Sequence, residues 1–126
     1  MPKEIIPSPG APAIGPYSPA VKVGPLLFVS GQLPVDEAGL RISGGAGKET
    51  ERCLENMKAV LAAAGANLGH VVKVTVYMTE LADFKFMNQA YEKFFTENFP
   101  ARTTVQVAKL PKDVHVEIDA IAVIAN

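Results

Sequence analysis

Tryptophan is absent from this chain, cysteine occurs once, histidine twice, and neither sign of charge is in excess. Each shortage removes a class of function. The single thiol, Cys53, cannot close a disulfide within the chain, which suits a reducing compartment. His70, His115 and Cys53 lie far apart, with no ligand pair two to four residues apart, so no zinc site is expected. Twelve Lys and Arg against thirteen Asp and Glu leave a net charge of −1, so no global field gathers nucleic acid. The opening MPKEIIPSPGAPAIGPYSPA contains no long apolar run. Neither a signal peptide nor a membrane span is expected, and the chain reads as a soluble, cytoplasmic protein.

What is present is ordinary for a folded chain. At 126 residues, 48% hydrophobic and 20% charged, the length prior gives one domain, 1–126, large enough for its own core. Six of the ten prolines fall in the first nineteen residues. Proline fixes φ and removes an N–H, so 1–19 is expected to be an extended arm. AVKV and LLFVSG, broken at Gly24-Pro25, predict a hairpin, and the polar, glycine-rich stretch from Asp36 to Gly47 predicts a loop. Lys48 to Ala64 carries Leu54, Met57, Val60 and Ala64 at helical spacing and stops at Gly65. VVKVTVYMT at 71–79 alternates, placing Val72, Val74, Val76 and Met78 on one face. Asp83 is expected to cap a second helix with the stripe Phe84, Met87, Tyr91 and Phe94 (with Phe95). Two last strands, about Thr103–Lys109 and His115–Val123, flank the turn LPKDV and are expected to pair as a hairpin.

The order β-β-α-β-α-β-β predicts an α+β fold, a mixed sheet with both helices on one face. The other face carries Lys73, Thr75 and Tyr77 on one strand and Glu117, Asp119, Ile121 and Val123 on another. That is more apolar surface than a wetted face needs, so burial against further copies of the chain is expected.

Several chemistries find no support in the pattern. Ser30 in VSGQ sits at a strand end without a nucleophile elbow, and GGAG at 44–47 lacks the lysine and the preceding strand of a phosphate loop. What remains are polar residues where the pattern calls for others. Asn88 lies at the edge of the second helix's apolar stripe and fits a boundary amide equally well. Glu117 interrupts Val, Ile and Ala, and a solvated glutamate would also do so. Arg102 enters a strand after Pro100, as a surface ion-pairing arginine would. Tyr17 is held between two Pro-containing dipeptides, where it could equally pin the arm. Together they equip a site: a planar guanidinium grips a carboxylate through two parallel bonds, and a half-dry glutamate is a fair general base. In the expected hairpin Glu117 would pair near Val107, roughly 16 Å along the strand from Arg102. Both could then serve one small ligand only if they came from different copies of the chain.

The segments GAPAIGPYSPAVKVG, LLFVSGQLP, LENMKAVLAAAGANLGHVVKVTVYMTELADFKFMNQAYEKFF, PARTTVQVAKLP and VEIDAIA closely resemble the RidA/YjgF family of reactive-intermediate (enamine/imine) deaminases. The resemblance runs from about Ala11 to Ala122. It implies a chorismate-mutase-like subunit that forms a homotrimer with a cleft between each pair of subunits. It also implies hydrolysis of 2-imino acids such as 2-iminobutanoate and 2-iminopropanoate to 2-keto acids and ammonia, without metal or organic cofactor. By the same resemblance Arg102 binds the substrate carboxylate, Glu117 positions the water, and Tyr17, Ser30, Gly31 and Asn88 line the cleft. Thr104 stands where many members carry cysteine, at a position whose main-chain groups are thought to act. A carboxylate-binding trimer without catalysis would use the same Arg102 and cleft. An endoribonuclease, a label some members carry, finds no basic stripe here.

Overall fold

The computed structural model describes residues 1–10 and 13–124, so the part of the expected arm at Ala11 and Pro12 lies outside the described residues. The elements are β1 (Glu4–Ile6), β2 (Ala20–Val23), β3 (Leu26–Gln32), α1 (Gly45–Ala63), β4 (Val71–Met78), α2 (Phe84–Tyr91), β5 (Ala101–Gln106) and β6 (Val116–Val123). All six strands form one sheet in the order β1-β2-β3-β6-β4-β5. Only β4 and β5 run parallel. The proline arm therefore supplies a strand that was not expected, and β1 takes an edge, where missing N–H groups cost the ladder least.

Local chemistry explains most boundaries. Gly24 adopts φ +57° in the two-residue β2–β3 connection, a left-handed value that glycine reaches without strain. α1 begins three residues before the expected Lys48 and ends where Gly65, at φ +78°, turns the chain away. Asp83 makes no capping hydrogen bond. A 3-10 turn over Leu81–Asp83 precedes α2, and the Glu80 carboxylate caps that turn by accepting the Ala82 N–H at 3.2 Å. The chain thus enters α2 already wound, and the capping falls to Glu80 in place of Asp83. α2 stops at Tyr91, so Phe95 reaches the core from beyond the helix and stacks on Tyr91 with ring centroids 4.7 Å apart.

The core lies between one sheet face and the two helices. Leu27, Val29, Val74, Val76, Met78, Val116, Ile118, Ala120 and Ala122 meet Cys53, Leu54, Met57, Val60 and Leu61 of α1 and Met87 and Tyr91 of α2. Cys53 is fully buried, which pushes its thiol pKa up. On β4 the expected face is displaced by one residue at its start. A register shift between Val71 and Lys73 turns Val71 inward and leaves Val72 47% exposed.

The largest departure concerns the last two strands, which do not pair. β4 lies between them, parallel to β5 and antiparallel to β6. LPKDV is a crossing connection, with a 3-10 turn at Pro111–Asp113, and no hairpin loop. Among the described residues no helix lies over the opposite sheet face. There Phe28 (44% exposed) stands across from Val21 and Ile121, and Leu26 across from Val23 and Val123, beside Lys73, Thr75, Tyr77, Glu117 and Asp119.

The shift on β4 has a measurable consequence. Val71→Ala should cost about 1.5–3 kcal/mol in a denaturant titration, through lost burial and the cavity left behind. Val72→Ala should stay within about 0.5 kcal/mol. The expected face would demand the reverse order.

Candidate functional site

Strand alternation decides where the polar candidates point. Glu117 pairs with Tyr77 and sits on the uncovered face, whereas Arg102 pairs with Val74 and shares its helix-covered face. Seven residues singled out in the sequence therefore fall into two groups.

The first group gathers around the end of β3. A register irregularity between Val29 and Gln32 breaks the β3–β6 ladder there, and Ser30 and Gly31 lie inside it. Ser30 Oγ donates to Ser18 O at 2.6 Å and Ser30 N–H to Pro19 O at 2.9 Å, so Ser30 fastens the arm to the sheet. Tyr17, one residue further along that arm, is half-exposed. Tyr17 and Gly31 both line a cavity of about 420 Å³ between the arm and α1, walled also by Leu33, Arg52 and Asn56. A Cβ at Gly31 would stand 1.8 Å from Glu117 Oε2, so a side chain there would push the carboxyl aside. The Glu117 carboxyl rests against bare β3 backbone.

That position has an electrostatic result. Burial raises the Glu117 pKa above the usual carboxylate value, and the negative charge of Asp119 raises it further. Asp119 is held in turn by Tyr77, whose hydroxyl donates to Oδ2 at 2.9 Å. Burial, that bond and the Asp119 charge raise the Tyr77 pKa as well.

The second group lies where α2 covers β5. The Arg102 guanidinium carbon is 4.7 Å from the Tyr91 ring centroid and 5.5 Å from that of Phe84. Its hydrogen-bonding contact is a weak one of 3.9 Å to Met87 Sδ, and no carboxylate meets it among the described residues. Asn88 is half-buried on the same helix, and its side-chain amide has no hydrogen-bond partner among the described residues. Thr104 follows Arg102 on the same face, and its hydroxyl is buried and unpaired, as is that of Tyr91. β5 is the sheet edge, and Val107 N–H points inward to Met78 O at 2.8 Å. By alternation the N–H groups of Arg102, Thr104 and Gln106 point outward at the open edge. This group offers a guanidinium fork beside free main-chain donors, which is equipment for a small anion.

Within one chain the two groups do not meet. Across Tyr77, Glu117 is level with Val105, three residues from Arg102. That is about 10 Å along the strand and about 10 Å across two strand spacings, with the side chains on opposite faces. The separation expected from a hairpin is present for another reason, the insertion of β4. Among the described residues no three of His, Cys, Asp and Glu converge as metal ligands do, and no helix is long and apolar enough to cross a membrane.

One cluster escaped the sequence reading. Glu49 of α1 is 1% exposed, and its carboxylate receives the His115 side chain at 2.6 Å and the His115 N–H at 2.7 Å. The available signal was spacing: Glu49 precedes Cys53 and Met57 by four and eight residues, on the buried helix face.

Comparison with known proteins places this geometry in company. The family described as Endoribonuclease L-PSP matches residues 9–124. A RutC family protein of Pyrococcus abyssi is 52% identical over 97% of this chain and 98% of its own length. The 2-iminobutanoate/2-iminopropanoate deaminase of Salmonella typhimurium is 47% identical over 88% of this chain and 89% of its own. The crystal structure of Escherichia coli TdcF with bound serine superposes with a TM-score of 0.90 at 44% identity, covering 97% of this chain and 99% of that one.

Because the Thr104 hydroxyl is buried without a partner, Thr104→Val should keep or raise the melting temperature. A marked loss of stability would show that the hydroxyl is paired in solution.

Proposed function

The chain belongs to the Endoribonuclease L-PSP family, the group of the RidA/YjgF proteins, and from that premise we propose that it hydrolyses 2-imino acids to 2-keto acids and ammonia. The observation that carries this reading is Arg102, a guanidinium shelved on two aromatic rings with no acid paired to it among the described residues. In a cleft between two copies of the chain, assembled as a homotrimer, Arg102 of one copy grips the substrate carboxylate through its planar fork. Glu117 of the other copy orients water toward the imine carbon. Tyr17, Ser30 and Gly31 come with that Glu117, and Asn88 and the Thr104 main chain come with that Arg102. The division into two groups on opposite sheet faces supports a site of this shared kind, and the uncovered apolar face supports association.

The chemistry asks little of the protein. A protonated imine carbon is already electrophilic, so holding substrate and water together supplies much of the rate. Glu117 accepts a proton as water adds to the carbon, giving a carbinolamine. It then returns the proton to the nitrogen; the C–N bond breaks as the carbinolamine oxygen forms the carbonyl, and the hydroxyl proton leaves with the ammonia, which yields the keto acid and ammonium. A carboxyl whose pKa is raised by burial suits both directions of transfer. The serine held by E. coli TdcF favours a second reading, small-carboxylate binding without turnover, for which the same Arg102 would serve.

Both readings meet the same measurements, made on imines generated in situ by an amino-acid oxidase. Arg102→Ala should lower kcat/KM about 10- to 100-fold, and Glu117→Gln should lower kcat about 10²- to 10⁴-fold while binding persists. Co-assembly of the two variants should restore activity, since some clefts then join an intact Arg102 to an intact Glu117. Absence of recovery in verified mixed assemblies overturns the shared site, and wild-type binding without turnover selects the second reading. The acid limb of kcat should lie above the usual carboxylate range, because activity needs Glu117 ionised and its pKa is raised. Asp119→Asn removes a neighbouring negative charge and should move that limb to lower pH.

A further inference from the structure

The turn that leads into β6 is strained. Lys112 and Asp113 are consecutive non-glycine residues at φ +58° and +56°, a conformation that persists only where the surroundings hold it. Glu117, four residues after Asp113, nevertheless places its carboxyl where it occupies the space beside Gly31 that a Cβ there would claim. Something has to fix the strand between these two points.

The buried Glu49 carboxylate spans that interval. Oε1 accepts the N–H of His115 at 2.7 Å and that of Val116 at 3.2 Å, the amides that lead into β6. Oε2 receives the His115 Nδ1 at 2.6 Å and lies 3.8 Å from Arg41 Nη2. On the other side of the chain, His115 O accepts the Thr79 N–H at 3.1 Å from the end of β4. Lys112 Nζ bonds to Gly39 O, which ties the strained turn to the loop that carries Arg41. A carboxylate has about four acceptor positions; three donors bond to this one and the Arg41 guanidinium lies beside it. Arg41 stands where its charge offsets that of the buried carboxylate, and the His115 ring adds a hydrogen bond.

We infer that Glu49 is a positioning residue for Glu117: from the middle of the covered side of the molecule it sets the register and height of the first turn of β6, and so the place of the carboxyl over Gly31. Glu49 is buried on α1, on the face opposite Glu117. Its action passes through two backbone amides. The inference rests on the hydrolytic role given above to Glu117, and its experiments separate the two claims.

Reach and charge are distinguished by a pair of variants. Glu49→Gln keeps a carbonyl oxygen at the length needed for both amides, and its NH₂ can donate to His115 Nδ1 in the other tautomer. Glu49→Asp keeps the charge but withdraws the oxygens by about 1.5 Å. A displacement of about 1 Å at a reacting group costs up to about 10²-fold. Glu49→Asp should therefore lower imine-hydrolysis kcat at least about tenfold with KM within about twofold, because the carboxylate clamp is elsewhere. Glu49→Gln should stay within about threefold of wild type. Gly31→Ala displaces the same carboxyl directly, so Gly31→Ala with Glu49→Asp should be little slower than the worse single variant. Multiplying losses, or full speed in a folded Glu49→Asp protein, overturn the inference. A second readout does not depend on turnover: ¹³C NMR of the Glu117 carboxyl should shift in Glu49→Asp and remain as in wild type in Glu49→Gln. An unmoved resonance in Glu49→Asp overturns the inference even if no imine is hydrolysed, which would itself sink the deaminase reading alone.

Discussion

The insertion of β4 between β5 and β6 is the constraint from which the rest of the molecule follows. A strand paired on both sides, parallel to one neighbour and antiparallel to the other, couples two chain segments that are close in sequence but separated in the sheet. It leaves β5 as an edge with outward-facing amides and makes β6 a central strand. Because side chains alternate, the three-residue offset between Arg102 and the level of Glu117 puts them on opposite faces. No rotamer change within one chain brings these two groups together.

Each face then acquires its own dielectric setting. Arg102 lies against Tyr91 and Phe84, where the aromatic faces favour the cation without consuming its in-plane donors. Glu117 rests against β3 backbone, and burial together with the Asp119 charge disfavours its ionised form. The sign for folding is the ordinary one for a raised acid. The contribution of Glu117 to stability is greatest while the carboxyl is protonated and is lost as pH rises through its native-state pKa. A carboxyl in this setting stands at some cost to the fold, as ionisable groups at functional sites commonly do. The cost is contained by rigid surroundings, including Gly31, the fastened arm at Ser30 and the Glu49 carboxylate behind the strand.

The arm shows how a proline-rich segment serves such a site. With few N–H donors it cannot extend the sheet far, so β1 is short and at the edge. Its end, at Ser18 and Pro19, lies against β3, where Ser30 binds it by side chain and main chain. Tyr17 is thereby delivered to the cavity wall by stiffness and two hydrogen bonds, with no regular element to carry it.

Sequence alone determined the elements and their faces wherever period and breakers agree. The alternation of VEIDAIAV put Val116, Ile118, Ala120 and Ala122 inside, and the spacing of Leu54, Met57, Val60 and Leu61 marked the buried side of α1. Gly24 and Gly65 ended their elements because left-handed backbone favours glycine. These are local matters, settled by sterics and by transfer of apolar surface from water. Partner choice among strands is a global matter, and LPKDV reads equally as a hairpin loop and as a crossing connection. Only the tertiary structure decided that β4 would separate β5 from β6, that a slip at Val71 would turn Val72 outward, and that Glu80 would do the capping expected of Asp83. Glu49 belongs with these. A charge on a buried helix face declares its spacing in sequence, but the groups that bond to it belong to His115 and Val116, far along the chain, and only folding assembles them.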